Sequence, residues 1–326
     1  MRHLPVVLAL VALLLSACGS APDVRPAPAQ AAVVVPKPKP VRIGLALGGG
    51  AAKGFAHIGV IKILQANGIR ADVVAGTSAG SVVGALHASG MDAFALQEKA
   101  VALDEDSIRD VRLFGGGLVQ GQKLQDYVNA QVGNRPIERL PIPFAAVSTR
   151  LDTGRRVVFT RGNTGQAVRA SSAIPGVFEP VRIGGADHVD GGVVSPVPVD
   201  AARQLGADVV IAVDISSRAS GRSPGSMLGN INQSITIMGQ RLAAAELARA
   251  DVVIRPDVLD IGATDFEQKN RAILEGERAA LAALPRIRAR IAQLQAARAP
   301  RPAAAPKPVC RRPSRIGRLM GKDCAD

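Results

Sequence analysis

The chain has no tryptophan, one tyrosine and seven phenylalanines in 326 residues. The stacking platforms that single-strand binders need are missing, so no nucleic-acid partner is expected despite a formal net charge of +13. That charge is also unevenly placed. Eleven Lys and Arg face two Asp between positions 286 and 326, which leaves the rest of the chain close to neutral. A basic tail of this kind finds anionic lipid headgroups as its nearest partner, or is simply solvated. With four His and three Cys, the sequence has no His/Cys/Asp cluster at metal-ligand spacing and no additional acidic calcium loops, so neither metal nor other cofactor is expected. No apolar run reaches the roughly 20 residues of a membrane-spanning helix.

The N-terminus is more informative. Arg2, the apolar run 6–15 and the small residues Ser16 and Ala17 form a secretion signal. Leu15-Ser16-Ala17-Cys18 resembles the lipobox of bacterial lipoproteins. The resemblance implies removal of residues 1–17, acylation of Cys18 and a membrane-held, periplasm-facing protein, with Gly19 rather than Asp favouring the outer membrane. Residues 18–40 are rich in Pro and Ala and read as an extended tether. Residues 299–326 read as a basic, disordered tail, in which Cys310 and Cys324 either pair or stay free.

Between these ends, residues 41–298 alternate short apolar runs with helical patterns, which predicts an α/β domain with a mainly parallel sheet. Strands are expected at 42–47, 72–75, 144–149, 156–160, 209–213 and 252–255. Helices are expected at 55–67, 79–89, 122–132 and 227–248. In a last helix, Leu284, Ile287, Ile291 and Leu294 share one apolar face, which either packs on the domain or lies on a membrane.

Three motifs carry chemistry. Gly76-Thr77-Ser78-Ala79-Gly80 has nucleophile-elbow spacing between a strand and a helix, where side chains two residues either side of Ser78 would collide. The loop Gly48-Gly49-Gly50-Ala51-Ala52-Lys53-Gly54 also joins a strand to a helix. Its third glycine comes one residue late for a dinucleotide fingerprint, and its Lys-Gly order does not fit a P-loop, but it suffices for an oxyanion hole. Asp190-Gly191-Gly192 is an ordinary turn or a catalytic carboxylate. Of the histidines, His57 and His87 lie within helices and read as structural, His188 stays a candidate base, and none follows Asp190 to complete a hydrolase triad in the usual order.

In chain order, from the glycine loop through the Ser78 elbow and the block Ala170-Ser171-Ser172-Ala173-Ile174-Pro175 to Asp190-Gly191-Gly192, the motifs resemble the patatin-like phospholipase family over about residues 42–203. The likeness is nearest to short bacterial members related to the catalytic domain of neuropathy target esterase. Many members carry Arg at the place of Lys53, and some carry Gly at that of Ala51. The resemblance implies a three-layer α/β/α fold in which Ser78 attacks an ester and Asp190 acts directly as its base. It also implies an oxyanion hole from Gly49, Gly50 and Ala79, with a membrane phospholipid or lysophospholipid as substrate. Gly48, Lys53, Gly54, Gly76, Gly80, Gly191 and Gly192 would support these groups. The alternative is a non-catalytic lipid-binding lipoprotein on the same fold.

Overall fold

The computed structural model describes residues 39–103, 110, 119–219, 221 and 225–299. The signal, Cys18, most of the tether, Cys310, Cys324 and the basic tail lie outside the described residues. No helix among the described residues is long and apolar enough to cross a membrane.

Among the described residues, eight strands form one mixed sheet: β1 (Ile43–Leu47), β2 (Val73–Thr77), β3 (Phe144–Arg150), β4 (Arg156–Phe159), β5 (Val181–Ile183), β6 (Ala186–Asp190), β7 (Val209–Val213) and β8 (Val252–Ile254). Their spatial order is β5-β6-β3-β2-β1-β7-β8, and β4 also pairs with β3. The strands β3-β2-β1-β7-β8 are parallel, while β4, β5 and β6 pair antiparallel. Strands buried on both faces explain the continuous apolar runs such as Val209-Val210-Ile211-Ala212-Val213, all fully buried.

Successive side chains leave a strand on opposite faces, so each of the parallel strands feeds two cores. Leu45, Leu47, Val74, Phe144 and Ile211 pack under α1 (Ala56–Ala66), α2 (Ala79–Ala88), α3 (Ala93–Ala102), α4 (Gln122–Gln131) and the long C-terminal helix. Ala46, Val73, Ala75, Ala145 and Val210 face α6 (Val199–Gln204) and the last turns of α7 (Met227–Leu247). Helix α5 (Thr164–Ser171) covers the β3–β6 side. The three-layer α/β/α architecture is as expected.

The C-terminal helix, α8 (Lys269–Arg298), settles the choice left open for its apolar face. Leu284 and Ile287 are buried, and Ile291 and Leu294 pack partly buried against the main core. It is a core helix of its own domain.

Candidate active site

Strand β3 acts as a ruler that brings two distant segments together. Thr77, the last residue of β2, pairs with Val147, and Asp190, the last residue of β6, pairs with the next residue, Ser148. Two strands from opposite directions thus end beside the same point of β3. The residue after Thr77 is Ser78.

Ser78 bridges β2 and α2 with φ 53 and ψ −125. Such a conformation strains a residue with a Cβ and persists only where the surroundings enforce it. They do so here: a Cβ on Gly76 would strike the Gly80 carbonyl, and one on Gly80 would strike the Leu47 carbonyl oxygen. The Ser78 N–H donates to Ser171 Oγ at 3.0 Å, and Ser171 Oγ donates to the Val147 carbonyl at 2.5 Å. Ser171 ends α5, which starts on Asn163, whose side chain accepts from Gln166 N–H. Replacing Ser171 by Ala removes both bonds, the one from the buried Ser78 N–H and the one to the Val147 carbonyl. Denaturant titration should show a loss of about 1–3 kcal/mol, and loosening of the elbow should lower ester turnover with it.

Asp190 is 6 % exposed. Its Oδ1 accepts from Gly192 N–H at 2.7 Å, and the Ser78 hydroxyl is near enough to favour the charged carboxylate. Burial pushes its pKa up to about 6, with the Gly192 amide and the Ser78 hydroxyl pulling the other way. Gly191 lies so close to the Val147 carbonyl that a side chain there would collide with it.

The loop after Asp190 is held at several points. Thr77 Oγ1 donates to the Ser195 carbonyl at 2.9 Å, and Gly49 N–H donates to the Pro196 carbonyl at 3.0 Å. Glu246 on α7, buried and with its pKa raised by burial, accepts from Ser195 Oγ at 2.5 Å and from Val197 N–H at 3.0 Å. Sequence reasoning missed Glu246, Ser171 and Thr77 in these roles. Ser171 stood in a quoted block and Thr77 inside the elbow motif, but no spacing announces Glu246.

The Gly49 bond corrects one expectation. Its N–H is committed to Pro196 and is not free for an oxyanion, although its Cα lies against Ser78, where an added Cβ would sit 3.2 Å from Ser78 Cβ. Among the described residues no acceptor takes the Gly50 N–H. Ala79 N–H, at the first position of α2, is an orphan donor of a helix start. Gly48 N–H bonds the Val213 carbonyl, and Gly54 closes on Ala79, where a Cβ would sit 2.7 Å from Ala79 Cβ. Ala51, with φ 50, occupies a left-handed position that favours glycine. Lys53 is buried, its pKa lowered by desolvation, and its Nζ donates to Ser217 Oγ at 2.7 Å. It ties the glycine loop to the segment after β7.

None of the described histidines is hydrogen-bonded to Ser78. His188 Nδ1 meets Ser148 Oγ at 3.1 Å and its ring leans on Phe159. His87 meets the Met91 carbonyl at 3.1 Å. His57 is fully buried, with burial lowering its pKa to about 4, so the neutral ring donates from Nε2 to the Gly48 carbonyl at 2.8 Å. It braces the glycine loop from below. Among the described residues no group of His, Cys, Asp and Glu could hold a metal.

A cavity of ≈ 270 Å³ opens beside Ser78 and Ala79, walled by apolar side chains including Ile58, Val82, Leu86, Leu96 and Leu124. Residues 45–203 match the patatin-like phospholipase family. This patatin-like region runs from β1 into α6 and holds Ser78, Asp190 and both glycine motifs, while β7, α7, β8 and α8 lie beyond it. The chain is similar to an NTE family protein of Mycobacterium tuberculosis, 41% identical over 183 residues that cover 55% of this chain and 51% of the relative. It is also similar to the lysophospholipase NTE1 of Pyricularia oryzae, 33% identical over 181 residues, 54% of this chain and 12% of that protein. The chain thus spans about half the length of its mycobacterial relative or less of these curated proteins. The patatin-like fold recurs in the crystal structure of VipD from Legionella pneumophila, with a TM-score of 0.54 at 15% identity over 80% of this chain and 68% of that one.

Proposed function

We propose that the protein is a serine lipid acyl hydrolase that cleaves phospholipid or lysophospholipid esters with a Ser78–Asp190 dyad. The observation that carries this reading is a strained serine meeting a buried carboxylate of raised pKa beside an apolar cavity. A carboxylate is a weak base for a hydroxyl, and burial narrows that gap.

Ser78 Oγ attacks the ester carbonyl carbon as Asp190 takes its proton. The oxyanion is held by Gly50 and Ala79 N–H. The alcohol leaves with the proton from Asp190, and the acyl chain stays on Ser78 within the cavity. Water then attacks the acyl-enzyme, giving its proton to Asp190, and the fatty acid departs as Ser78 is reprotonated. On this reading the acylated Cys18 and the basic tail hold the enzyme at the periplasmic side of a membrane, in the outer membrane by the choice of Gly19.

A fluorophosphonate probe should label the wild-type protein at Ser78, and mass spectrometry of phospholipid incubated with it should show free fatty acid that Ser78→Ala does not release. A wild type that binds lipid but never takes the probe would point instead to a lipid-presenting protein.

A further inference from the structure

Helix α7 is built inside out. Met227, Ile231, Ile235, Met238 and Leu242 recur every three or four residues, within an arc of about 80° on a helix wheel, yet each is between 37% and 75% exposed. The opposite side carries Gln233, Thr236 and Gln240 before reaching the buried Ala243 and Leu247. Gln240 Oε1 accepts from Ala219 N–H at 3.2 Å, so the polar side has work inside the protein. An ordinary surface helix shows the reverse pattern, and contiguous exposed apolar stripes mark interaction sites.

Chain order relates the stripe to the catalytic end of the sheet. Helix α7 follows β7 and leads back to β8, which runs parallel to it. Its 21 residues span about 31 Å, against about 17 Å for the five residues of β7. Among its described side chains, Ala243 and Leu247 in the last turns pack on the sheet. The helix is therefore longer than the strand it follows, and it starts after the C-terminal end of β7, the end of the sheet at which the glycine loop and the Ser78 elbow also leave their strands. Lys53 bonds Ser217 in the segment leading to α7, and Val193, three residues after Asp190, is exposed as well.

Charge selects the occupant. Between Asp214 and Glu246 the sequence has Arg218, Arg222 and Arg241 and no carboxylate. Arg218 and Arg241 are exposed, and neither forms an ion pair among the described residues. Two copies meeting through this face would set arginine against arginine. An anionic bilayer supplies apolar depth and countercharge together. We infer that the outward face of α7 docks on an anionic lipid bilayer and holds the protein on the membrane that carries the substrate. The choice of a lipid surface rests on the lipid-hydrolase reading above.

The test uses the full chain carrying Ser78→Ala, so that binding is read without turnover. Hydrogen exchange across residues 227–242 should slow with phosphatidylglycerol–phosphatidylcholine vesicles, and less with phosphatidylcholine alone. The triple variant Ile231→Gln, Ile235→Gln, Met238→Gln, made with Ser78 intact, should raise the vesicle concentration needed for hydrolysis by a factor on the order of ten or more. Its turnover of a short soluble ester should stay unchanged. Exchange that ignores vesicles, or that slows with protein concentration in their absence, would overturn the inference, the latter in favour of a second copy. Protection by vesicles in a wild type that cleaves neither substrate would sink the catalytic reading and leave the docking intact.

Discussion

Asp190→Asn should abolish most ester turnover and leave the protein more stable at pH 8 than the wild type. On the activity side, an amide cannot take the Ser78 proton, and loss of a general base typically removes a factor on the order of 10²–10⁴. The wild-type kcat/KM should rise with pH through about 6, where Asp190 ionises, and level off above it. On the stability side the sign follows from burial. The folded pKa is raised from 3.8 to about 6, so the folded state binds the proton more tightly. Stability is fully present below the ordinary carboxylate pKa and is lost as pH rises through the folded value. The gap corresponds to about 3 kcal/mol at most. Asn removes that penalty and keeps an oxygen for the Gly192 amide. Urea titrations at pH 8 should favour the variant, and the difference should vanish toward pH 4. Equal stability at both pH values would mean that Asp190 is not the desolvated base.

The opposition between the two effects explains what could be read from the sequence and what could not. Motifs whose geometry is local were legible. The elbow glycines follow from steric crowding around one residue, and the strand before them extends through Gly76 and Thr77 rather than stopping at Ala75. The juxtaposition of Ser78 and Asp190 was implied only by the family resemblance, because β5 and β6 have three and five residues. Strands so short show no alternation, so Asp190 read as a turn residue when it ends a strand. The hairpin's own signal was present in Gly184-Gly185, both at positive φ. Helix α5 announced itself through the Asn163 cap, which the sequence reading passed over, as it did α3 and α6. The loss of Gly49 as an oxyanion donor depends on a carbonyl at Pro196, far along the chain, and the bracing of that loop depends on Glu246, farther still. Only the assembled fold brings those groups together.

The packing of α8 gives a second large effect, decided by space rather than by propensity. Gly59 on α1 and Gly276 on α8 let the two helices cross at backbone contact: a Cβ on Gly59 would collide with the Ile273 carbonyl oxygen, and one on Gly276 with the Ala56 carbonyl oxygen. Helix propensity alone says that Ala in place of either glycine should stabilise by about 1 kcal/mol. Backbone cannot yield as a side-chain end can, and overpacking of a tight contact costs about 1–3 kcal/mol or more, so the steric effect wins. Gly59→Ala and Gly276→Ala should each lower the urea midpoint clearly, with a net loss of about 2 kcal/mol. The contrast is Gly239 on α7, where an added Cβ meets nothing within 4 Å, and where Ala should stabilise. The consequence reaches the site as well. His57 stands two residues before Gly59 and donates to the Gly48 carbonyl, so a displaced α1 tilts the loop that presents Gly50. Gly59→Ala should therefore lose turnover even at temperatures where it stays folded, and a Gly59→Ala protein as stable and active as the wild type would show that the helices do not meet there.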